Sequence, residues 1–166
     1  RIIKNRLLEH IFIDMSKNKK DLGSTIFHIV GPCDYLDELK DTIGNLQLKD
    51  HVVFHGEIYD FNVILDISSG CKYFIHPSDV GLSALLAIKL NLILFTHNNF
   101  NTHKPEFEAS LETGMLKTYS YRNDVQVSQL LNSTENIEIN SAIVQKIANK
   151  WSIENQILIL NSVCDG

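Results

Sequence analysis

The hydrophobic positions along the chain switch repeatedly between the 3.6-residue period of a helix and short unbroken apolar runs. In "IKNRLLEHIFIDMSKN", Leu7, Leu8, Ile11, Phe12 and Met15 recur at i, i+3 and i+4 spacing, which predicts an amphipathic helix stopped near Gly23. "TIFHIVG" predicts a short buried strand closed by a glycine. "CDYLDELKDTIGNL" sets Leu36, Leu39 and Ile43 on one face of a second helix, with Asp34 placed to cap its start. "HVVFHG" then reads as a strand, "DFNVILDISSG" as a short helix and "KYFIHP" as a third strand. "GLSALLAIKL" reads as a helix and "LILFTHN" as a fourth strand. The strand-turn-helix unit thus occurs three times, and its apolar, β-branched and aromatic strands are short enough to be buried on both faces. Parallel neighbours need crossover connections, and here those are helical, so the pattern predicts an α/β fold: a Rossmann-like parallel sheet with helices on both faces. Past residue 100, "PEFEASLETG" predicts a short helix and turn, "MLKTYSY" an edge strand, and "DVQVSQLLN" a small helix. The last stretch is helical but interrupted near Trp151 and Ser152.

Composition narrows the function classes. At 166 residues, 44% hydrophobic and 21% charged, the chain is expected to form one domain, residues 1–166, with a substantial core. Fifteen Lys and Arg against twenty Asp and Glu give a net charge of −5, which argues against nucleic acid as a partner. The basic run "KNKK" at 17–20 reads as a solvated helix end, with membrane-surface contact as the alternative. Cys33, Cys71 and Cys164 are odd in number and widely spaced, which fits neither a disulfide framework nor a thiolate metal site and fits a reducing cytoplasm. No apolar run approaches the about 18 residues that span a bilayer, and no signal-peptide pattern opens the chain, so a cytoplasmic, soluble protein is expected.

Candidate chemistry belongs at the carboxyl ends of the strands, where open parallel sheets bind ligands. The loop "VGPCDYL" has a single glycine where a dinucleotide fingerprint needs GxGxxG, and no loop carries GxxxxGK[ST]. In "HPSDVGLSALLAIKL" a glycine stands at the head of a helix. Gly81 has no side chain to hold a ligand away, the first-turn amides lack helical partners, and Ser83 adds a hydroxyl, so the turn is suited to a phosphate or diphosphate. The plain alternative is a glycine that only eases a tight turn. The histidines are scattered over separate elements without metal-ligand spacing; His28 is expected as a satisfied core residue, and His76 and His97 at strand ends facing the cleft.

The order strand, "PS", "GL", small-apolar helix, strand, then "PEFEA" and "TG" resembles the C-terminal, donor-binding domain of glycosyltransferase family 4, retaining enzymes of the GT-B fold. "FHIVGPCDYLDELKDTIGNLQLKDHVVFHGEI" and "THNNFNTHKPEFEASLETGML" are similar to that family's corresponding segments, and the resemblance covers roughly residues 1–130. It implies a nucleoside-diphosphate sugar as donor, a saccharide or glycoconjugate as acceptor, and no cofactor or metal. It implies the base at Gly56, Glu57 and Ile58, the diphosphate at Gly81, Leu82 and Ser83, a steadying cation at Lys4, and Ser78, Asp79 and Glu106 near the donor sugar. Where the family carries two glutamates around the glycine, this chain has Ser78 and Leu86, with Asp79 adjacent to the first. That departure leaves open the donor, and also whether the domain is a degenerate, non-catalytic nucleotide- or partner-binding module; a flavin or nicotinamide protein is a weaker third option. The resemblance further implies that the domain's first strand and an N-terminal acceptor domain precede this sequence. The catalytic side chain is expected in that missing part, through which peripheral membrane contact would also arise, and transfer by these residues alone is not expected.

Overall fold

The computed structural model describes residues 7–120, 127–131 and 141–152. They fall into two compact units, residues 7–70 with 120 and 127–131, and residues 71–119 with 141–152.

In the first unit, α1 (Leu7–Lys17) and α2 (Lys19–Leu22) precede β1 (Phe27–Val30), α3 (Leu36–Asn45), β2 (Val52–Gly56) and α4 (Phe61–Ser68), and α7 (Ser128–Leu131) returns to it. β1 and β2 pair in parallel, Phe27 opposite Val52 and Val30 opposite Gly56, with α3 as the crossover. Ile11, Phe12 and Met15 of α1 are buried, as are Leu22, Leu39, Ile43 and Leu48, and α1 packs on α3. The expected single helix up to Gly23 breaks at Asn18, whose side-chain amide donates to the Asp14 carbonyl at 2.8 Å and competes with helix continuation. Asp34 does not cap α3; Tyr35 holds the cap position, and its side chain makes no capping bond to the helix. Asp60 does cap α4, accepting from the Asn62 amide at 2.9 Å. Asp14 reaches further along the chain and accepts from the Ser128 amide at 2.8 Å at the start of α7.

β1 is not buried on both faces. Phe27 and Ile29 are half-buried while His28 and Val30 are exposed, and Val53 of β2 is exposed with them. His28 is therefore no core histidine, because strand alternation turns it outward.

The second unit carries β3 (Tyr73–Ile75), α5 (Ser83–Lys89), β4 (Ile93–His97), α6 (Glu108–Thr113), β5 (Leu116–Tyr119) and α8 (Ser141–Lys150). Its sheet is parallel with order β3-β4-β5, so β5 lies at an edge as the sequence predicts. Every residue of the central strand β4 is buried. Val80, Ala84, Ala87, Leu94 and Phe107 form one core cluster against Phe74 and Leu116. Ile88, Ala109 and Ile147 form another with Leu85, Val144 and Trp151. Small residues at 84 and 87 let α5 lie close on the strands, and α8 closes over α5 and α6. Gly114 ends α6 in the left-handed region at φ 70°, where its lack of a Cβ matters. Both units are α/β with parallel strands joined by helical crossovers.

Candidate functional site

The loop between β3 and α5 is fastened from several sides. Pro77 accepts a hydrogen bond at its carbonyl from the Tyr119 hydroxyl at 3.0 Å. The Ser78 carbonyl lies 3.0 Å from His76 Nδ1 and accepts from Thr96 Oγ1 at 3.4 Å. The Val80 N–H donates to His103 Nδ1 at 2.9 Å, and its carbonyl accepts from the Lys104 N–H at 2.8 Å. Asp79 Oδ1 meets His97 Nε2 at 3.2 Å. A loop after a strand folds this way because the β4 end and the following loop present polar groups where backbone donors and acceptors must otherwise go unpaired.

Behind the loop the rings form a pile. His97, 2% exposed, lies face to face with His103 at a centroid separation of 4.3 Å, and His103 lies on Phe107 at 4.1 Å. Burial lowers the pKa of His76 and that of His97; the neighbouring His103 adds to both, and Asp79 opposes it. Burial pushes the Tyr119 phenol up to about 12. His97 is thus a support beneath the loop, where the sequence expectation had it facing a cleft, because β4 is the covered middle strand of its sheet.

Asp79, His97 and His103 bring a carboxylate oxygen and two ring nitrogens within 4.8 Å of one another. They do not fit a metal ion as they stand. The two imidazole planes are within 17° of parallel and stacked, so their in-plane lone pairs cannot converge on one ion. Both nitrogens of His103 are also engaged by backbone groups.

The structure brings Ser78, Asp79, Gly81, Leu82, Ser83 and Glu106 together in the second unit. Asp79 is half exposed and Leu82 is exposed to 71%. The amides of Gly81, Leu82 and Ser83 find no acceptor among the described residues, and α5 has neither a side-chain cap nor an acidic residue in its first turn. With only seven residues, α5 adds little dipole, so local amides matter more than the helix. The place beside Gly81 is not open: a Cβ there would meet Lys104 Cγ at 3.3 Å and Lys104 Cβ at 3.4 Å, with Glu106 Oε2 at 3.9 Å. Lys104 is exposed and its stem flexible, so a ligand approaching that side of Gly81 must displace the lysine or engage it. Lys104 was not singled out from the sequence; its only signal there was a basic residue directly before "PEFEA".

Gly56, Glu57 and Ile58 lie in the first unit, after β2. Gly56 has φ 69°, a conformation that suits glycine, and its carbonyl accepts from the Gly31 N–H at 2.7 Å. Glu57 is exposed and accepts a hydrogen bond from the hydroxyl of Tyr59, a residue 85% exposed; Ile58 is half-buried. Hydrogen bonding to Glu57 raises the Tyr59 pKa. On the outer face, His28 Nδ1 and His55 Nε2 are 2.9 Å apart with ring centroids at 5.2 Å. That combination places the rings end to end, sharing one proton between two lone pairs. Burial lowers the His55 pKa, and His28 adds to it. Lys4 lies outside the described residues.

The fold these elements make is that of a GT-B glycosyltransferase domain. The chain is similar over its whole length to a chain of the GtfA/B complex, with TM-score 0.68 and 15% identity. It is similar over 86% of its length to WaaG, a glycosyltransferase involved in lipopolysaccharide biosynthesis, with TM-score 0.61 and 12% identity. Over 87% it is similar to the pneumococcal O-GlcNAc transferase GtfA, solved in complex with UDP and GlcNAc, with TM-score 0.53 and 19% identity. It spans 35%, 38% and 26% of those chains respectively. No protein-family model and no curated protein sequence matches it. Among the described residues no helix is long and apolar enough to cross a membrane.

Proposed function

We propose that this chain is the donor-binding part of a retaining glycosyltransferase of the family 4 type, taking the sugar of a nucleoside-diphosphate sugar to a saccharide or glycoconjugate acceptor in the cytoplasm. The observation that carries the reading is the loop after β3: a glycine, amides at 81–83 with no acceptor among the described residues, and a lysine stem laid against the glycine. In transfer with retention, negative charge grows on the diphosphate as it leaves an oxocarbenium-like sugar, and donors already in place for that charge lower the barrier. Here the amides of Leu82 and Ser83 supply donors, and Lys104 supplies the cation that the sequence reading assigned to Lys4. No metal ion has a role in this scheme. Ser78, Asp79 and Glu106 stand near the donor sugar. A preceding N-terminal domain brings the acceptor pocket and the catalytic side chain. The span of about a third of GtfA/B and WaaG chains supports that division.

A second reading, a non-catalytic module of the same fold, draws on Ser78 and Leu86, which stand where the family resemblance expects carboxylates. Thermal-shift titration with UDP, GDP and ADP separates the two. Gly81→Leu serves as the control, because Gly81 lacks a positive φ and the neighbouring lysine can move, so the variant is expected to fold. Stabilisation by one diphosphate that Gly81→Leu abolishes supports the transferase reading; silence with all three supports the module. Sugar transfer by the 166-residue chain alone would overturn the division into two domains.

A further inference from the structure

One of the bonds that fasten the loop between β3 and α5 depends on a lone pair that a proton removes. Val80 donates its N–H to His103 Nδ1 at 2.9 Å, and Nε2 of the same ring lies 3.0 Å from the His97 carbonyl oxygen. A backbone N–H can only donate and a carbonyl can only accept, so this ring is neutral and carries its proton on Nε2. An imidazolium donates from both nitrogens; its Nδ1–H would face the Val80 N–H, and that bond would be lost.

We propose that His103 is the positioning residue of a proton-operated latch: neutral, it holds residues 77–81 against the segment 100–107, and protonated, it releases Val80 and the Asp79–Gly81 turn with it. The second strand of the latch is the Lys104 N–H to Val80 carbonyl bond at 2.8 Å, which is next to His103 in the chain and loosens when Val80 moves.

The groups around the ring set how readily the latch opens. His97 lies on one face of His103 and Phe107 on the other. His76, bonded to the same loop at Ser78, and His97 would oppose a further positive charge only when themselves protonated, and burial lowers the pKa of both. Asp79 favours it, but its side chain is 53% exposed and water weakens the attraction. The Phe107 ring face also favours a cation. Tyr119 is uncharged and stands edge-on to His97. Lys104 and Glu106 flank Gly81 with opposite charges.

That the released turn is the donor-bearing one rests on the function proposed above; the latch itself does not. The test is amide hydrogen exchange of the chain followed by NMR from about pH 7.5 to about pH 5, expressed as protection factors so that the intrinsic pH dependence drops out. Protection at Val80 and Lys104 is expected to fall together, by about tenfold per pH unit below the His103 midpoint. Leu94, bonded to the Met115 carbonyl within the sheet, is expected to keep its protection. His103→Asn offers an acceptor and a donor without titrating, and is expected to keep Val80 protected in acid. Flat wild-type protection at Val80, or an H103N chain that opens on acidification as the wild type does, overturns the latch. Should H103N not fold, the ring ¹⁵N shifts of the wild type decide. The proposal requires the Nε2–H tautomer at neutral pH and a second protonation whose midpoint matches that of the Val80 amide; the other tautomer or separate midpoints overturn it. Nucleotide takes no part in these measurements, so failure of the transferase reading and failure of the latch are told apart.

Discussion

Tyr119 shows what one buried hydroxyl contributes. It stands at the end of β5, is nearly inaccessible, and spends its O–H on the Pro77 carbonyl. Tyr119→Phe keeps the ring and loses the bond, leaving that carbonyl without its phenol partner; the expected cost is about 1 kcal/mol by urea denaturation at neutral pH. The pH dependence has a definite sign. The phenol ionises near 10 in the unfolded chain and at about 12 in the fold, so the unfolded state gives up its proton first. The wild type's advantage is therefore whole below pH 10 and shrinks as pH rises toward 12, where the Phe variant loses less. Equal slopes for the two proteins across that window would show that Tyr119 is not held protonated. Gly81 teaches a different lesson at the same scale: its missing Cβ is used by Lys104, a residue 23 positions on, which no local reading of "DVGLS" reveals.

Among elements, the caps distinguish local from distant control. Asp60 caps α4 from the adjacent position, and Asp60→Ala is expected to destabilise the chain by about 1 kcal/mol, with the loss of helix signal tracking the thermal midpoint. An unchanged midpoint would mean that α4 is held by its apolar face alone. Asp14, by contrast, serves α7 from more than a hundred residues away in sequence, a partner that no local pattern identifies. The strands divide in the same way. β4 is flanked on both sides by hydrogen-bonded partners and buried throughout, as its continuous apolar run predicts. β1 has a run of similar character yet alternates between half-buried and exposed positions, and β2 exposes Val53 beside it, which leaves His28 to meet His55 on the outer face.

For the whole molecule, the GT-B likeness is a statement about backbone path, at identities of 12–19%, and chemistry must come from particular side chains. Leu86 gives the proposed function a gain-of-binding test. It sits on α5 one turn past the amides of Leu82 and Ser83, half-buried, where the resemblance expects a glutamate for the ribose hydroxyls. Leu86→Glu is expected to tighten the diphosphate that binds wild type by several-fold, about 1 kcal/mol, in calorimetric titration. No gain, in a protein of unchanged thermal midpoint, would place the ribose elsewhere and count against the family 4 reading.

What the sequence by itself determined is the succession of elements and their parallel pairing. Period and burial are local properties of an apolar pattern, and a helix between two strands leaves few ways to join them. Tertiary structure alone decided which faces stay covered, that His97 supports the loop from below, that His103 and Lys104 close over the turn before α5, and that Asp79, His97 and His103 stack and hydrogen-bond in an arrangement that cannot serve one ion. Those outcomes depend on where residues distant in sequence arrive in space, and each buried donor or acceptor takes the partner it meets there.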